Sequence, residues 1–149
     1  MRKILRVSFL FGVFAAPSVA FADDSATNAA IDNAFGEHAK YEAVILSLQK
    51  AVAAHDSAAV ASLVRYPISV SIDGRKTMIQ NAKAFIANYG AIMTPDIVAT
   101  VKNQKYEDLF VNYQGVMFGR GQIWVNSVCK DKACNTHDVK IITIQHAPK

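Results

Sequence analysis

The spacing of apolar residues in this chain changes from helical in its first half to strand-like in its second half. One stripe with spacings of three and four comprises Ala34, His38, Tyr41, Ile45, Leu48 and Val52, which predicts an amphipathic helix. From residue 106 onward, the stretches YEDLFVNYQGVMFGRGQIWVNSV and HDVKIITIQH are typical of strands. Helices followed by antiparallel strands indicate an α+β domain.

Short local signals predict where individual elements begin and turn. Asp56 and Asn81 are expected to cap the helices that follow them, and the run TPD at 94–96 predicts the start of another short helix. Between these helices, ISVSIDGRKTMI alternates apolar and polar residues around Asp73-Gly74. This pattern predicts a β-hairpin with a two-residue turn.

Residues 1–22 have the pattern of a secretory signal peptide. A basic start is followed by an apolar run over 7–16, and Ala20-Phe21-Ala22 has the small residues that precede a cleavage site. The apolar run is too short for a comfortable membrane span. We therefore expect cleavage near Ala22 and a periplasmic or secreted protein. Residues 23–33, DDSATNAAIDN, are small and polar and are predicted to be a flexible lead into a single domain over 34–147.

The net charge of the chain comes largely from this predicted signal peptide. Residues 1–22 hold three of the 16 Lys and Arg residues and none of the 12 Asp and Glu residues, so the rest carries 13 basic and 12 acidic residues. A nearly neutral chain gives no indication of a nucleic-acid partner. No later apolar run is long enough to predict a membrane span.

The two cysteines, Cys129 and Cys134, lie close together in CKDKAC. In an exported protein an even number of cysteines favours a disulfide. A metal site is the alternative, but only His137 lies near enough in sequence to be a further ligand. We predict a disulfide that pins a hairpin and stabilises it by about 2 kcal/mol. We predict no metal site and no cofactor.

Three stretches carry a resemblance to a known superfamily: LQKAVAAHDSAAVASLVRYPISVSIDG, AFIANYG and FVNYQGVMFGRGQIWV. Their order of helices, hairpin, helix and long strands resembles the NTF2-like (cystatin-like cone, ketosteroid-isomerase-like) superfamily, in particular small exported bacterial members without an assigned activity. The resemblance covers about Phe35 to His146. It implies N-terminal helices packed on a strongly curved antiparallel sheet that forms a cone.

The glycines of GVMFGRGQIWV would then serve the curvature of that sheet. If the stretch is one strand, Gly119 and Gly121 share the inner face with Met117, Ile123 and Val125, and their missing side chains let the sheet bend. The opposite face would carry the candidate interface residues Phe118, Arg120 and Trp124. Aromatic residues beside an arginine are typical of interfaces, and the resemblance implies a homodimer through this outer face.

Five residues are candidates for lining the pocket of the cone: His38, Tyr41, Tyr66, Tyr89 and Met117. His38 and Tyr41 lie one helical turn apart and could act as acid, base or ligand donors. The alternative is that they are packed side chains with satisfied polar atoms. The sequence identifies neither the carboxylate and tyrosine set of ketosteroid isomerases nor the His–Asp arrangement of scytalone-dehydratase-like members, so we predict no catalytic residue.

Three functions are consistent with this sequence. The one we favour is a non-catalytic exported domain that binds a small apolar ligand or a protein partner, in the pocket or on the outer sheet face. The second is a periplasmic inhibitor or immunity-type protein. The third is an NTF2-like isomerase or hydratase, for which paired ionisable groups inside the cone would be the discriminating feature.

Overall fold

The structure is a computed structural model that describes residues 24–147, and the predicted signal peptide lies outside them. In this range helices come first and antiparallel strands last, which confirms the α+β class. The helices are α1 (Ser25–Phe35), α2 (His38–Ala53), α3 (Ser57–Ser62), α4 (Ala82–Ala87), α5 (Tyr89–Ile92) and α6 (Pro95–Asn103). The strands are β1 (Ile68–Ile72), β2 (Arg75–Ile79), β3 (Phe110–Asn112), β4 (Gly115–Phe118), β5 (Ile123–Cys129) and β6 (His137–Ile144).

The predicted start signals act as expected. The side chain of Asp56 accepts a hydrogen bond from the backbone N–H of Ala59 at 2.9 Å, and that of Asn81 accepts one from Ala84 at 3.0 Å. Both therefore cap the free N–H groups of the helix that follows. Helix α6 begins at Pro95, as the sequence predicts.

The predicted hairpin is strands β1 and β2. They pair antiparallel from Ile68↔Ile79 to Ile72↔Arg75, so the turn consists of Asp73 and Gly74. Both turn residues have positive φ, 50° and 76°. Such a turn matches the right-handed twist of the two strands, which explains why an Asp-Gly pair forms it.

The main sheet has the strand order β3-β4-β5-β6, with every pair antiparallel. Helix α2 packs against β5 and β6 and also contacts α3 and α6. The core lies between this helix and the inner face of the sheet. Its fully buried members include Tyr41, Ile45, Leu48 and Val52 from α2 and Val116, Phe118, Ile123, Val125 and Ile141 from the sheet.

Residues 23–33, predicted to be a flexible lead, are helical from Ser25 onward, so that prediction is wrong for the described residues. The reason is tertiary contact. Ile31 is fully buried, and the hydroxyl of Thr27 donates to the backbone carbonyls of Tyr106 and Glu107 at 3.2 and 3.3 Å. The Tyr106 hydroxyl in turn donates to Asn28 at 2.8 Å. Packing stabilises a helix that its local sequence only weakly favours.

The four-stranded sheet is not strongly curled, and Gly119 and Gly121 do not lie inside a strand. Both belong to the turn over residues 119–122 that joins β4 to β5, with φ of 59° and 104°. Glycine reaches such backbone angles without the steric cost that other residues meet. The two glycines therefore reverse the chain direction, and our prediction that they bend one continuous strand is wrong.

Candidate interaction surface

Three large apolar side chains form a row across the outer face of the main sheet. Phe110 of β3 pairs with Met117 of β4, and Met117 pairs with Trp124 of β5. Directly paired residues place their side chains on the same face. Because the neighbours Val116 and Val125 are fully buried on the inner face, these three must point outward. We call Phe110, Met117 and Trp124 the outer row.

The outer row is accessible to solvent. Phe110 is 52% exposed, while Met117 and Trp124 are each partly exposed. Tyr113, in the turn between β3 and β4, is 86% exposed. The sheet therefore presents contiguous aromatic and thioether surface from three adjacent strands.

An irregularity in β6 extends this surface by one strand. Trp124 pairs with Thr143 but the next residue, Val125, pairs with Ile141, so Ile142 is left without a partner. Such a bulge sets two residues of one strand against one of the other. Both Ile142 and Thr143 line a shallow groove beside Trp124, together with Gln114 and Gln145.

The turn between β4 and β5 lies against the side chain of Trp124. A Cβ atom at Gly121 would lie 3.5 Å from Trp124 Nε1 and 3.8 Å from Met117 Sδ, so both side chains converge on this glycine. The Gln145 side chain donates to the Gly121 carbonyl at 3.0 Å, and the Gln145 backbone N–H donates to the Gln122 carbonyl at 2.9 Å. The chain after β6 thus holds the turn against the outer row.

The same turn is anchored to helix α6 by buried polar contacts. Gln122 is only 5% exposed, and its side-chain oxygen accepts from the Arg120 N–H at 2.7 Å. Its amide nitrogen donates to the Thr100 hydroxyl at 3.2 Å, and Gln104 accepts from the Gly119 N–H at 2.9 Å. A buried amide with satisfied partners favours one turn conformation.

The interface residues predicted from the sequence have different positions. Trp124 lies on the outer face as expected, but the prediction for Phe118 is wrong because its side chain is fully buried. Arg120 is exposed in the turn and lines a polar groove with Lys105 and Asp108, so it does not lie between two aromatic side chains. The turn at 119–122 shifts the alternation of the two strands, which moves Phe118 to the inner face.

The five predicted pocket residues do not line one cavity. Met117 belongs to the outer row, on the opposite face of the sheet from α2. Tyr66 and Tyr89 both pack edge-to-face with Phe85, with ring centroids 6.3 and 6.1 Å from that of Phe85. Burial raises the pKa of Tyr66 to about 12 and also raises that of Tyr89. Both tyrosines are thus packed rings that stay neutral.

Tyr41 is fully buried, and its hydroxyl joins α2 to strand β5. It donates to Asn126 Oδ1 at 2.9 Å and accepts from the Ser127 N–H at 3.0 Å. Its ring stacks on Phe35 with centroids 4.9 Å apart. Burial raises the pKa of the Tyr41 hydroxyl. The satisfied hydroxyl makes Tyr41 a structural contact between the helix and the sheet.

The structure gives His38 an acidic partner that the sequence did not identify. Asp32 accepts from the His38 backbone N–H at 2.8 Å and lies 2.7 Å from His38 Nδ1. The hydrogen bond from the His38 backbone, and after it the one from the His38 side chain, hold the pKa of Asp32 below its usual value. Each carboxylate oxygen of Asp32 contacts His38, so the pair links the end of α1 to the start of α2. The contact therefore satisfies the first backbone N–H of α2.

A second histidine contact lies beside the first. His137 Nε2 lies 3.0 Å from Glu37 Oε2, which also accepts from Lys40 at 2.6 Å. The hydrogen bond from Lys40 is the main reason that the pKa of Glu37 is lowered. These contacts connect the start of β6 to the start of α2 at a shallow, solvent-exposed surface.

The Cys129 and Cys134 sulfur atoms lie at bonding distance, with Cα atoms 4.7 Å apart, as the sequence predicts. Within the loop, Asp131 accepts from the N–H groups of Ala133, Asn135 and Thr136 at 2.8–3.1 Å and from the Thr136 hydroxyl at 2.7 Å. The carboxylate therefore organises the loop that the disulfide closes.

We expect Asp131 to titrate far below a free aspartate. Hydrogen bonds from Thr136, then from the other loop N–H groups, lower the pKa of Asp131 to about 2. Because this lies below the unfolded value of about 3.9, the bonds stabilise the fold above pH ~4, and their contribution is lost as the pH falls through ~2. A carboxyl NMR titration should give a midpoint near 2. A midpoint near 4 would show that the carboxylate does not hold the loop.

Asp131→Ala provides the matching variant. Exchange of the Asn135 and Thr136 amide hydrogens should become faster, because both lose their acceptor. Exchange of the Ala59 amide, which Asp56 caps, should not change.

Among residues 24–147, no helix combines the length and the apolar character needed to cross a membrane. In the same range no three His, Cys, Asp or Glu side chains are grouped so that they could hold a metal ion. Comparison of the chain with protein-family models, with curated proteins and with solved structures finds no match.

Proposed function

We propose that this chain is an exported, non-catalytic binding domain of the NTF2-like type, and that it takes a protein partner on the outer face of its main sheet. The observation that carries the proposal is the outer row, in which three adjacent strands each contribute one large apolar side chain to an accessible face. Aromatic residues and methionine are enriched where proteins bind one another.

The arrangement of the outer row differs from ordinary surface apolar residues. Leu46 on α2 is 51% exposed and Met78 on β2 is 52% exposed, but Leu46 lies on a helix and Met78 pairs across the hairpin with the polar residue Ser69. Scattered apolar side chains are normal on protein surfaces and need no partner. Contiguous apolar surface of the kind made by Phe110, Met117 and Trp124 more often marks an interaction site.

Two further observations support the proposal. The cysteine pair at bonding distance fits an oxidising compartment, such as the one an exported protein enters. The order of helices, hairpin, helices and antiparallel strands, with α2 across the inner face of the sheet, supports the NTF2-like assignment. Because the proposed surface is the outer face, binding there does not need an enclosed cone-shaped pocket.

Site-specific photo-cross-linking in living cells tests the proposal. A photoreactive phenylalanine analogue is placed at Phe110 in one variant and at Leu46 in another, two positions of nearly equal exposure on different surfaces. We expect a discrete cross-linked species from position 110 and none from position 46. Adding Trp124→Ala should abolish the species from position 110.

The masses of the cross-linked species identify the partner. A species containing two copies of this chain would be the homodimer that the sequence predicted. A different protein would be a partner of another kind. Equal cross-linking from positions 46 and 110, or none from either, would contradict an interface on the outer face.

A further inference from the structure

We propose that the partner's contact segment is acidic as well as apolar. It would be an amphipathic stretch of a different protein, whose apolar side chains cover the outer row and whose carboxylates reach Arg65 and Lys76. This inference rests on the proposed function and adds the chemistry of the partner to it.

Three shallow grooves on the outer face meet at Thr143. The first is the groove beside Trp124, described above. The second runs along β5 and β6 from Cys129 and Asn126 to Thr143 and is lined by Arg65. The third runs between the β1–β2 hairpin and the end of β6 and is lined by Lys76. A segment lying on the outer row therefore has a continuous path to both cations.

The charge of these grooves has one sign. None of the residues that line the three grooves is Asp or Glu. Arg65 and Lys76 are both exposed, and neither makes an ion pair with any residue between positions 24 and 147. The remaining polar groups are amides and hydroxyls, such as Gln114, Gln145 and Ser69. The surface is thus complementary to carboxylates, although the chain without its predicted signal peptide is nearly neutral.

Both cations are attached to well-fixed backbone. The Arg65 N–H donates to the Ile141 carbonyl at 2.9 Å, and the Ile141 N–H donates to the Leu63 carbonyl at 2.8 Å, so residues 63–65 run alongside β6. Lys76 lies in β2 opposite Ser71 of β1. Binding at this surface therefore needs little ordering of the backbone, which lowers its entropic cost.

The same observations argue against other occupants. A second copy of this chain would present the same cations, so pairing the two outer faces would bring like charges together. A polyanion without apolar side chains would leave Phe110 and Met117 uncovered. A protein segment that carries both apolar and acidic side chains can cover the outer row and also pair with the cations of the grooves.

Selection from a random peptide library tests this inference. The protein purified from the cell is immobilised, and displayed 12-residue peptides are selected at low salt. We expect the selected peptides to combine aromatic or aliphatic residues with several Asp or Glu residues. Dissociation constants are then measured for synthetic copies of the selected peptides at low and high salt.

Variants connect each part of the peptide to its place on the surface. Trp124→Ala should weaken binding about 30-fold, as expected for a central aromatic anchor. Arg65→Ala and Lys76→Ala should each weaken it about threefold, since exposed charge pairs contribute modestly. High salt should reduce the affinity because it screens these exposed charge pairs. Lys102→Ala, on α6, is the matched control and should leave the affinity unchanged.

The outcomes separate this inference from the proposed function. Selected peptides that depend on Trp124 but lack acidic residues, and bind equally well at high salt, would overturn the acidic partner and keep the interface. If the wild-type protein sediments as a dimer that Trp124→Ala dissociates, the acidic partner would also be overturned and the interface kept. Selection that yields no peptide dependent on Trp124, from a protein that sediments as a monomer, would overturn both.

Discussion

Phe118→Ala is expected to lower the free energy of unfolding by about 3–5 kcal/mol, the usual cost of deleting a fully buried aromatic side chain. Phe118 is 0% exposed, on the inner face of β4. The loss combines the transfer of apolar surface with the cavity left between the sheet and the helices. Urea unfolding followed by circular dichroism measures this loss. The dependence of the unfolding free energy on urea concentration, the m value, is expected to stay the same.

Phe110→Ala on the neighbouring strand is the matched control. Phe110 is the same residue type in the same sheet, but it is 52% exposed on the outer face. We expect this variant to lose about 1 kcal/mol or less. If the two variants were equally destabilised, or if Phe118→Ala were the milder, the assignment of faces in β3 and β4 would be wrong.

Gly115→Ala is the second change with a large expected effect, a loss of about 2–4 kcal/mol. Gly115 has φ of 136°, which side-chain-bearing residues rarely adopt. An added Cβ atom would collide with the backbone carbonyl oxygen of Val125 and lie 3.3 Å from Asn126 Cβ. Since backbone cannot yield as a flexible side chain does, strands β4 and β5 would have to separate locally.

Gly90→Ala tests whether the loss at Gly115 is specific. Gly90 lies in α5, has no heavy atom within 4 Å of an added Cβ, and does not have a positive φ. We expect it to be neutral or to stabilise the protein by up to about 1 kcal/mol, because alanine restricts the unfolded chain. Thermal unfolding of both variants measures the difference. A Gly115→Ala variant as stable as Gly90→Ala would contradict the close approach of the two strands.

Features that depend on neighbouring residues in sequence were predictable. The caps Asp56 and Asn81 act within three residues, and the Asp73-Gly74 turn needs only two residues with positive φ. Such contacts do not depend on the rest of the fold. A disulfide that closes a short loop also depends only on nearby residues, and the predicted Cys129–Cys134 pair is confirmed.

Features that depend on distant residues were not predictable from one sequence. Helix α1 is held by Tyr106 and Glu107, about 80 positions away, so its polar sequence alone reads as a flexible lead. The pairing of Asp32 with His38 needs the reversal at Gly36, whose φ of 85° ends α1.

Phe118 shows how one wrong strand boundary changes the sheet faces predicted for the residues around it. Read as one strand, GVMFGRGQIWV puts Phe118 and Trp124 on the same face. The turn at 119–122 separates two strands that pair through Phe118↔Ile123, so the face of Phe118 is set by that register. Phe110 was missed for the same reason. Its place beside Met117 follows from strand pairing, which sequence alternation does not give.

Quenching of Trp124 fluorescence tests the partner surface most directly, because this chain contains a single tryptophan. The uncharged quencher acrylamide is titrated into the free protein and into its complex with the partner identified by cross-linking, or with a selected peptide. A tryptophan-free ligand is used, so that all emission comes from Trp124. We predict clear quenching in the free protein and several-fold weaker quenching in the complex. Equal quenching in both states would show that the ligand binds elsewhere and would contradict an interface on the outer sheet face.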